Sequence, residues 1–223
     1  MLRGIFVTGT DTNVGKTVVS AALMVRYRGE APLRYWKPVQ TGSAHDDDSR
    51  EVARLARVGE IHERGVRLQH PVSPHLAARL AGTRITVRSL VDQLDSEVDA
   101  GGDMRWIVEG AGGVLVPINE RETMADLMHA LDLPVLIAAR SALGTINHTL
   151  MTIEALRRRM LRVAGVVMVG EANDENRLAI ERYGAAEVIA QMPRFDSLTP
   201  EVLEAWARAE FDRSGVLFVG ALR

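Results

Sequence analysis

Short runs of apolar residues alternate along this chain with longer segments whose apolar residues recur at helical spacing. The short runs are rich in β-branched residues and predict buried strands over 4–8, 33–37, 106–109, 134–139, 163–169 and 187–191. The longer segments predict helices over 16–27, 48–58, 87–98, 123–130, 146–160, 173–183 and 200–209. In the second of these helices, Val52, Leu55 and Ala56 share one face.

Strands separated by helices imply βαβ units, so the pattern predicts an α/β fold with a mostly parallel central sheet flanked by helices. We expect a single domain over 1–223. Segments 40–47 and 59–74 fit neither pattern and are interpreted as irregular loops, which on such folds often carry function. The longest apolar runs, such as 133–139, are too short to span a bilayer, and the N-terminal run is too short for a signal peptide.

The composition excludes several classes of protein. A formal net charge of -2 gives the chain no general attraction to nucleic acid or to an anionic membrane. The chain has no cysteine, which excludes disulfides, thiolate metal sites and a cysteine nucleophile. Because a cysteine-free chain fits a reducing compartment, we expect a cytoplasmic protein.

Residues 9–17, GTDTNVGKT, lie between a predicted strand and a predicted helix, which is the context of a P-loop. Five residues separate Gly9 from Gly15, where the usual motif has four. The loop still directs backbone N–H groups and a helix N-terminus toward an anion, so we expect it to bind a nucleoside triphosphate. Lys16 would reach the β- and γ-phosphates, and the Thr17 hydroxyl would ligate magnesium. The alternative is an ordinary glycine turn followed by an incidental Lys-Thr. A P-loop explains better why a strand, the glycines, Gly-Lys-Thr and a helix occur together.

Two acidic positions and one lysine are further candidates for this site. Glu109 ends a predicted strand and precedes a glycine-rich turn, at the sheet edge where open α/β sheets bind ligands. The acidic run 46–48 is read equally well as a magnesium ligand or as a solvated helix cap. Lys37 leaves another strand end and would stabilise phosphate charge; an exposed lysine at a strand end is the alternative interpretation.

Five motifs together carry a family resemblance. They are GTDTNVGKT with its additional residue, KPVQTG at 37–42, SPH at 73–75, VEGAGG at 108–113 and LGTINHT at 143–149. In their order and spacing the chain resembles the dethiobiotin synthetases, the ATP-dependent ring-closing enzymes of biotin synthesis. The resemblance covers nearly the whole chain and implies a P-loop NTPase-like fold.

The resemblance also implies a reaction. Its substrates are 7,8-diaminopelargonic acid, carbon dioxide and ATP with Mg²⁺, and its products are dethiobiotin, ADP and phosphate. One amine takes up carbon dioxide as a carbamate, whose oxygen attacks the γ-phosphate to give a carbamic–phosphoric anhydride. The second amine then closes the ureido ring. Two anions must approach each other, which requires concentrated positive charge in a dry site.

Residue roles follow from the same resemblance. Lys37 and Lys16 would be catalytic, and Thr17, Asp48 and Glu109 would surround magnesium. The nucleotide would contact Asn13, Val14, Gly15, Lys16, Thr17, Val18, Asp48, Glu109, Gly110, Ala111, Gly112, Gly170, Pro193, Arg194 and Phe195. The substrate would contact Thr12, Lys37, Thr41, Gly144, Thr145, Ile146 and Asn147.

By the same resemblance, Gly144, Thr145, Ile146 and Asn147 imply a homodimer. In the family this segment of one subunit reaches the active site of its partner and holds the substrate carboxylate, a role that suits a helix N-terminus with Asn147. An ordinary helix start with Thr145 as its N-cap is the simpler interpretation.

The chain departs from the family's pattern at the base pocket. Relatives often carry Asn-Asp after the strand that corresponds to 163–169, and that asparagine contacts adenine. Here the position holds Gly170 and Glu171, with Asn173 slightly later. Either Asn173 moves to the base, or the base is held by backbone and by 193–195.

Two other functions are compatible with a P-loop. Amidotransferase-type synthetases such as the corrinoid amidases carry a glutaminase domain with a cysteine nucleophile, and this chain has neither. Partitioning ATPases act as switches on partner proteins and usually have a second lysine early in the loop. The corresponding residue here is Asp11, and the segment 200–209 lacks the strongly basic character of a membrane-targeting helix.

Overall fold

The computed structural model describes residues 2–58, 60–94 and 103–217. Its strands are β1 (Gly4–Gly9), β2 (Leu33–Trp36), β3 (Val39–Thr41), β4 (Ile61–His62), β5 (Val66–Leu68), β6 (Arg105–Gly113), β7 (Val135–Arg140), β8 (Val163–Val169) and β9 (Val188–Met192). Its helices are α1 (Lys16–Tyr27), α2 (Asp48–Ala56), α3 (Pro74–Leu80), α4 (Val87–Val91), α5 (Met124–Leu131), α6 (Thr145–Arg157), α7 (Asp174–Gly184) and α8 (Pro200–Glu210).

Seven strands form one sheet in the order β4-β2-β6-β1-β7-β8-β9, and every neighbouring pair is parallel. The strand β1 lies at the centre, where Phe6 is in register with Val108 on one side and Val135 on the other. Parallel strands bring their carboxyl ends to one edge of the sheet, so the loops that follow β1, β2 and β6 meet there. The predicted α/β fold is confirmed.

Both faces of the sheet are buried. Alternate residues of β1 point to opposite sides: Ile5 and Val7 pack with α1, α2 and α8, whereas Phe6 packs on the side covered by α4, α5, α6 and α7. Burial on both faces explains why the strands read as continuous apolar runs. None of the helices within the described ranges is long and apolar enough to cross a lipid bilayer.

The two segments predicted as irregular loops contain regular structure, so that prediction is wrong. The strands β3 and β5 pair in a small second parallel sheet, β4 extends the edge of the main sheet, and α3 begins at Pro74. Strands of two or three residues are too short to show a period of two in the sequence.

Two predicted helices are clearly shorter in the structure, whereas the bounds of the others differ by at most two residues. The segment 87–98 is helical only over α4, with turns to residue 94, and its positions 95–98 lie outside the described residues. The helix predicted over 146–160 ends at Arg157, because Met160 takes a left-handed φ of 58° and cannot continue it. Gly144 is the N-cap of that helix, so the interpretation of Thr145 as its cap is wrong.

Candidate active site

The phosphate loop connects β1 to α1. Asn13 and Gly15 adopt left-handed φ angles of 56° and 98°, which turn the chain into the helix. A Cβ atom at Gly9 would lie 2.7 Å from the Asp11 carbonyl oxygen, so this position requires glycine. Within the described residues no side chain caps α1, and its first N–H groups are therefore available to an anion.

The additional residue of the loop is held from the neighbouring strand β7. Arg140 Nη2 donates to the Thr12 carbonyl oxygen at 3.0 Å and lies 3.5 Å from Asp11 Oδ2. Asp11 Oδ1 accepts from the Thr12 backbone N–H at 2.7 Å. On the inner side of the loop, Lys16 Nζ donates to the Asp11 carbonyl oxygen at 3.1 Å. The longer loop is thus fixed by contacts on both sides.

A fully buried carboxylate, Glu109, lies at the centre of the site. The Lys37 ammonium is 2.7 Å from Glu109 Oε1 and 2.6 Å from Asp48 Oδ2, and it donates to the Gly110 carbonyl oxygen at 3.2 Å. Three oxygens therefore match the three N–H donors of this ammonium. The lysine predicted from a strand end is buried and paired.

The three oxygen-bearing residues of the predicted magnesium site lie together. Thr17 Oγ1 is 2.9 Å from Asp48 Oδ1 and 3.1 Å from Glu109 Oε1, so its single proton is shared between two carboxylates. In the described part of the chain no group of three or more His, Cys, Asp or Glu side chains is arranged to hold a metal ion. Two carboxylates and a hydroxyl suit Mg²⁺, which keeps waters and phosphate oxygens in its coordination shell.

Asp47 and Asp48 occupy different positions at the start of α2. The side chain of Asp47 caps α2 by accepting from the Arg50 N–H, and it pairs with Arg67 at 2.5 Å. Asp48 is the first residue of α2 and turns into the site, where Gln40 Oε1 accepts from its backbone N–H at 3.3 Å.

Burial and charge shift the pKa values of these groups in different directions. Burial alone would lower the pKa of Lys37, but Glu109 and Asp48 outweigh it and raise that pKa above its ordinary value. Burial and the nearby Lys37 lower the pKa of Lys16. Burial acts to raise the pKa of Asp48, yet Lys37 and the Thr17 hydroxyl hold it below the usual range. Burial, and then the Glu109 charge, raise the pKa of Tyr35.

A cleft of about 990 Å³ opens above this cluster. Twelve of the predicted site residues line it: Thr12, Asn13, Gly15, Lys16, Thr17, Val18, Lys37, Thr41, Asp48, Glu109, Ala111 and Gly112. The cleft also takes in Ser73 and Pro74, the first two residues of the SPH motif. Val14 is buried beneath the loop, and Gly110 reaches the site through its carbonyl group. Most of the predicted set is therefore brought to one place.

Family membership is decided by comparison with known proteins. A profile described as an AAA domain matches residues 3–202. The ATP-dependent dethiobiotin synthetase BioD of Paramagnetospirillum magneticum is 51% identical over 198 residues, which cover 89% of this chain and 91% of that protein. The enzyme of the same name from Brucella ovis is 43% identical over 201 residues, with 89% and 90% covered. The chain belongs to the ATP-dependent dethiobiotin synthetase family.

Solved structures with the same fold are more distant. A ParA family ATPase from Chlorobium tepidum aligns with a TM-score of 0.53 at 9% identity and covers 92% of this chain and 98% of its own. The MinC:MinD cell division complex of Aquifex aeolicus gives 0.54 at 13% identity, with 92% and 86% covered. These neighbours share the P-loop NTPase fold of the synthetase family, and at such identities they share only that.

Four of the predicted substrate-binding residues lie outside the cleft. Gly144 and Asn147 are exposed at the start of α6, Ile146 is half-buried and Thr145 is buried beside Thr149. None of the four residues lines the cleft described above.

The predicted base-binding residues also lie outside the cleft. Gly170 has a φ of 136°, and a Cβ atom there would lie 2.3 Å from Ser141 Oγ. Asn173 caps α7 by accepting from the Asn176 N–H at 2.9 Å, so moving it to a base would break that cap. Pro193 and Arg194 are exposed, whereas Phe195 packs edge-on against Trp206.

Sequence reasoning missed the residues that support the site. Ser20 and Tyr35 both lie within hydrogen-bonding distance of Glu109, and Arg140 holds the phosphate loop. Two of them carried a signal: Ser20 lies one helical turn after Lys16, and Tyr35 is two residues before Lys37, on the same side of an extended chain. No sequence signal pointed to Arg140, because its contact with the phosphate loop depends on the order of strands in the sheet.

The basic residues of the synthetase are distributed unequally. Lys16 and Lys37 are the only two lysines in the sequence, and both line the cleft. Every other basic side chain, histidine apart, is arginine. A compact ammonium fits between two carboxylates and a carbonyl group, whereas the planar guanidinium group requires a wider site.

We expect the stability gained from Asp48 to depend on pH. Its pKa is lower in the folded protein, so ionised Asp48 stabilises the fold above the ordinary carboxyl pKa of about 3.9, and the effect is lost as pH falls through the lowered folded pKa. Asp48→Asn should reduce the free energy of unfolding by about 1–3 kcal/mol at pH 7. Urea unfolding at a series of pH values measures the difference, which should shrink below about pH 4.

The matched control is Asp46→Asn, an exposed carboxylate two residues earlier, which should change stability little at any pH. An Asp48→Asn protein as stable as the wild type at pH 7 would contradict a stabilising role for the Lys37–Asp48 pair.

Proposed function

We propose that this chain catalyses the ATP- and Mg²⁺-dependent carboxylation and ring closure of 7,8-diaminopelargonic acid to dethiobiotin. One observation carries the proposal: in a chain of the dethiobiotin synthetase family, Lys37 is buried against Asp48 and Glu109 beside the phosphate loop. The name of the family supplies the reaction, and the cluster supplies the charge that it needs. The expected compartment is the cytoplasm.

The proposed chemistry brings two anions together. An amine of the substrate takes up carbon dioxide and loses a proton to become a carbamate. A carbamate oxygen then forms a bond to the γ-phosphorus as the bond from the γ-phosphorus to the bridging oxygen breaks, and ADP leaves. Lys16, Lys37 and the N–H groups of the loop lie where they would offset the combined negative charge.

Thr17, Asp48 and Glu109 would hold the magnesium ion, which supplies further positive charge at the phosphate oxygens. Lys37 keeps its proton because two carboxylates raise its pKa, so it would act as a fixed positive charge against the carbamate and the γ-phosphate. Thr12 and Thr41 both line the cleft and would position the reacting end of the substrate.

Ring closure requires little more than positioning. The second amine attacks the carbonyl carbon of the anhydride, the C–N bond forms, and phosphate leaves as the C–O bond breaks. The proton that the amine loses passes to the departing phosphate or to water. The leaving group is already a stable anion, so the step does not depend on a general base with a shifted pKa. A site that acts through charge and orientation is sufficient for this sequence of steps.

Product formation tests the reaction directly. Pure protein supplied with 7,8-diaminopelargonate, bicarbonate, Mg²⁺ and ATP should form dethiobiotin, measured by mass spectrometry, with one phosphate released for each product. Omission of any component, or addition of EDTA, should abolish the signal. Absence of product together with ATP hydrolysis that a partner protein stimulates would favour a nucleotide switch.

Lys37→Ala should abolish turnover and leave nucleotide binding largely intact. The phosphates would still be held by the loop and Lys16, whereas the charge against the carbamate would be lost. Steady-state kinetics and calorimetric titration with an ATP analogue measure the two effects. Arg213→Ala removes an exposed cation and serves as the control. Turnover at the wild-type rate in Lys37→Ala would remove that residue from its proposed role.

A homodimer with a shared site forms part of this proposal. The segment Gly144 to Asn147 opens α6 on the surface, next to Leu143, whose side chain is 104% exposed. Met151, one turn further along α6, is 60% exposed. An exposed helix start flanked by apolar side chains suits a surface that a second subunit covers while it presents the substrate carboxylate.

Complementation tests the shared site. If each site uses Lys37 from one subunit and Asn147 from the other, Lys37→Ala and Asn147→Ala should each be inactive alone. Mixing them as exchanging dimers should restore about a quarter of wild-type turnover, since half of the dimers are mixed and each has one intact site. Sedimentation should give the mass of two chains. A monomeric mass at the assay concentration, or no recovery on mixing, would contradict the shared site.

A further inference from the structure

The two oxygens of the Glu109 carboxylate lie in different surroundings. Oε1 faces the cleft cluster, 2.7 Å from the Lys37 ammonium and 3.1 Å from the Thr17 hydroxyl. Oε2 faces the protein interior, where the Ser20 hydroxyl lies at 2.9 Å and the Tyr35 hydroxyl at 3.0 Å. One oxygen is therefore directed to the site, and the other is held from behind.

Tyr35 is the stronger of the two restraints on Oε2. Its side chain is fully buried in β2, on the same side of the chain as Lys37, and its hydroxyl proton is directed to Oε2. The Ser20 hydroxyl lies equally close to the carbonyl oxygen of Lys16, at 2.9 Å, so its single proton is shared between two acceptors. A buried carboxylate oxygen with such partners is costly to turn away from them.

This arrangement determines how Glu109 can bind a cation. A carboxylate whose second oxygen is bonded to the protein offers one oxygen to a metal. Mg²⁺ accepts single oxygens in a compact octahedron at about 2.0–2.1 Å, whereas Ca²⁺ takes 6–8 oxygens at about 2.3–2.6 Å and often both oxygens of one carboxylate. A restrained, monodentate Glu109 thus suits the smaller ion.

We propose that Tyr35, assisted by Ser20, is a positioning residue that keeps Glu109 monodentate and so sets a preference for Mg²⁺ over Ca²⁺. The inference rests on the magnesium site of the proposed function and adds the residues that select the metal. Neither hydroxyl touches the substrate or the nucleotide in this role, since both act through Glu109.

The test compares the affinities of two metal–nucleotide complexes. Calorimetry measures the dissociation constants of Mg²⁺ and Ca²⁺ complexes of a non-hydrolysable ATP analogue for the wild type, Tyr35→Phe, Ser20→Ala and the double variant. For a given metal, chelation by the free nucleotide is the same whichever protein variant is titrated. A change in the ratio of the two dissociation constants between variants therefore reports the protein alone. A third titration in EDTA gives the affinity for the metal-free nucleotide.

We expect the wild type to prefer the Mg²⁺ complex and Tyr35→Phe to reduce that preference by roughly tenfold, within the usual range for residues that orient a metal ligand. The loss should come from weaker Mg²⁺ binding, with Ca²⁺ binding retained or improved because Oε2 becomes free to join Oε1. Ser20→Ala should have a smaller effect, and the double variant the largest.

A matched control is available elsewhere in the chain. Tyr27 also donates its buried hydroxyl proton to a buried carboxylate, that of Asp212, near the other end of α1. Tyr27→Phe removes the same chemical group with a similar effect on stability, and it should leave the metal preference unchanged. Thermal unfolding of all variants verifies that each is folded, and if the double variant is not, the two single variants provide the same test.

An unchanged ratio in folded Tyr35→Phe and Ser20→Ala would overturn the inference, as would an equal loss of affinity for both metals, which would indicate a purely structural role. The proposed function fails in a different way. If the wild type binds the Mg²⁺ complex no more tightly than the metal-free nucleotide, the magnesium site itself is wrong, and if no dethiobiotin forms, the reaction is wrong whatever the metal preference.

Discussion

The ion pair between Glu109 and Lys37 is the interaction on which the rest of the site depends. A carboxylate at the buried end of a central strand is strongly unfavourable unless charge and hydrogen bonds compensate it. Here the compensation comes from different parts of the fold: Lys37 and Tyr35 from the region of β2, and Thr17 and Ser20 from α1. The carboxylate therefore fixes the position of these elements relative to one another, and a shift in any of them would leave a charge without its partner.

The same requirement gives the site its reactivity. The cluster holds the Lys37 ammonium against two carboxylates next to a loop whose N–H groups attract phosphate, so these groups are in place before the substrates arrive. Lysine is the suitable cation because its three donors match three oxygens in a narrow space. The only two lysines in the sequence both line this cleft.

Local patterns in the sequence were sufficient for much of this fold and for the centre of its site. The phosphate loop, Glu109 and Lys37 stand at the carboxyl ends of parallel strands, so recognising the strands places them at one edge. Asp48 required the family resemblance, because an acidic run beside a helix start is ambiguous until it is known that Asp47 supplies the cap. The strands β3 to β5 could not be predicted, because strands of two or three residues are too short to show a period. The contact of the Tyr35 hydroxyl could not be predicted either, because its partner lies 74 positions away in the chain.

The distant structural neighbours show where the function of such a fold resides. A ParA family ATPase shares the fold at 9% identity, so the fold alone does not determine which reaction such a protein catalyses. The distinction lies in a few side chains at the sheet edge. At the loop position where a switch would have a second lysine, this chain has Asp11, and Arg140 lies beside it and holds the loop by the Thr12 carbonyl group. Arg140 from the neighbouring strand thus fixes the loop from outside, whereas Lys16 and Lys37 line the cleft.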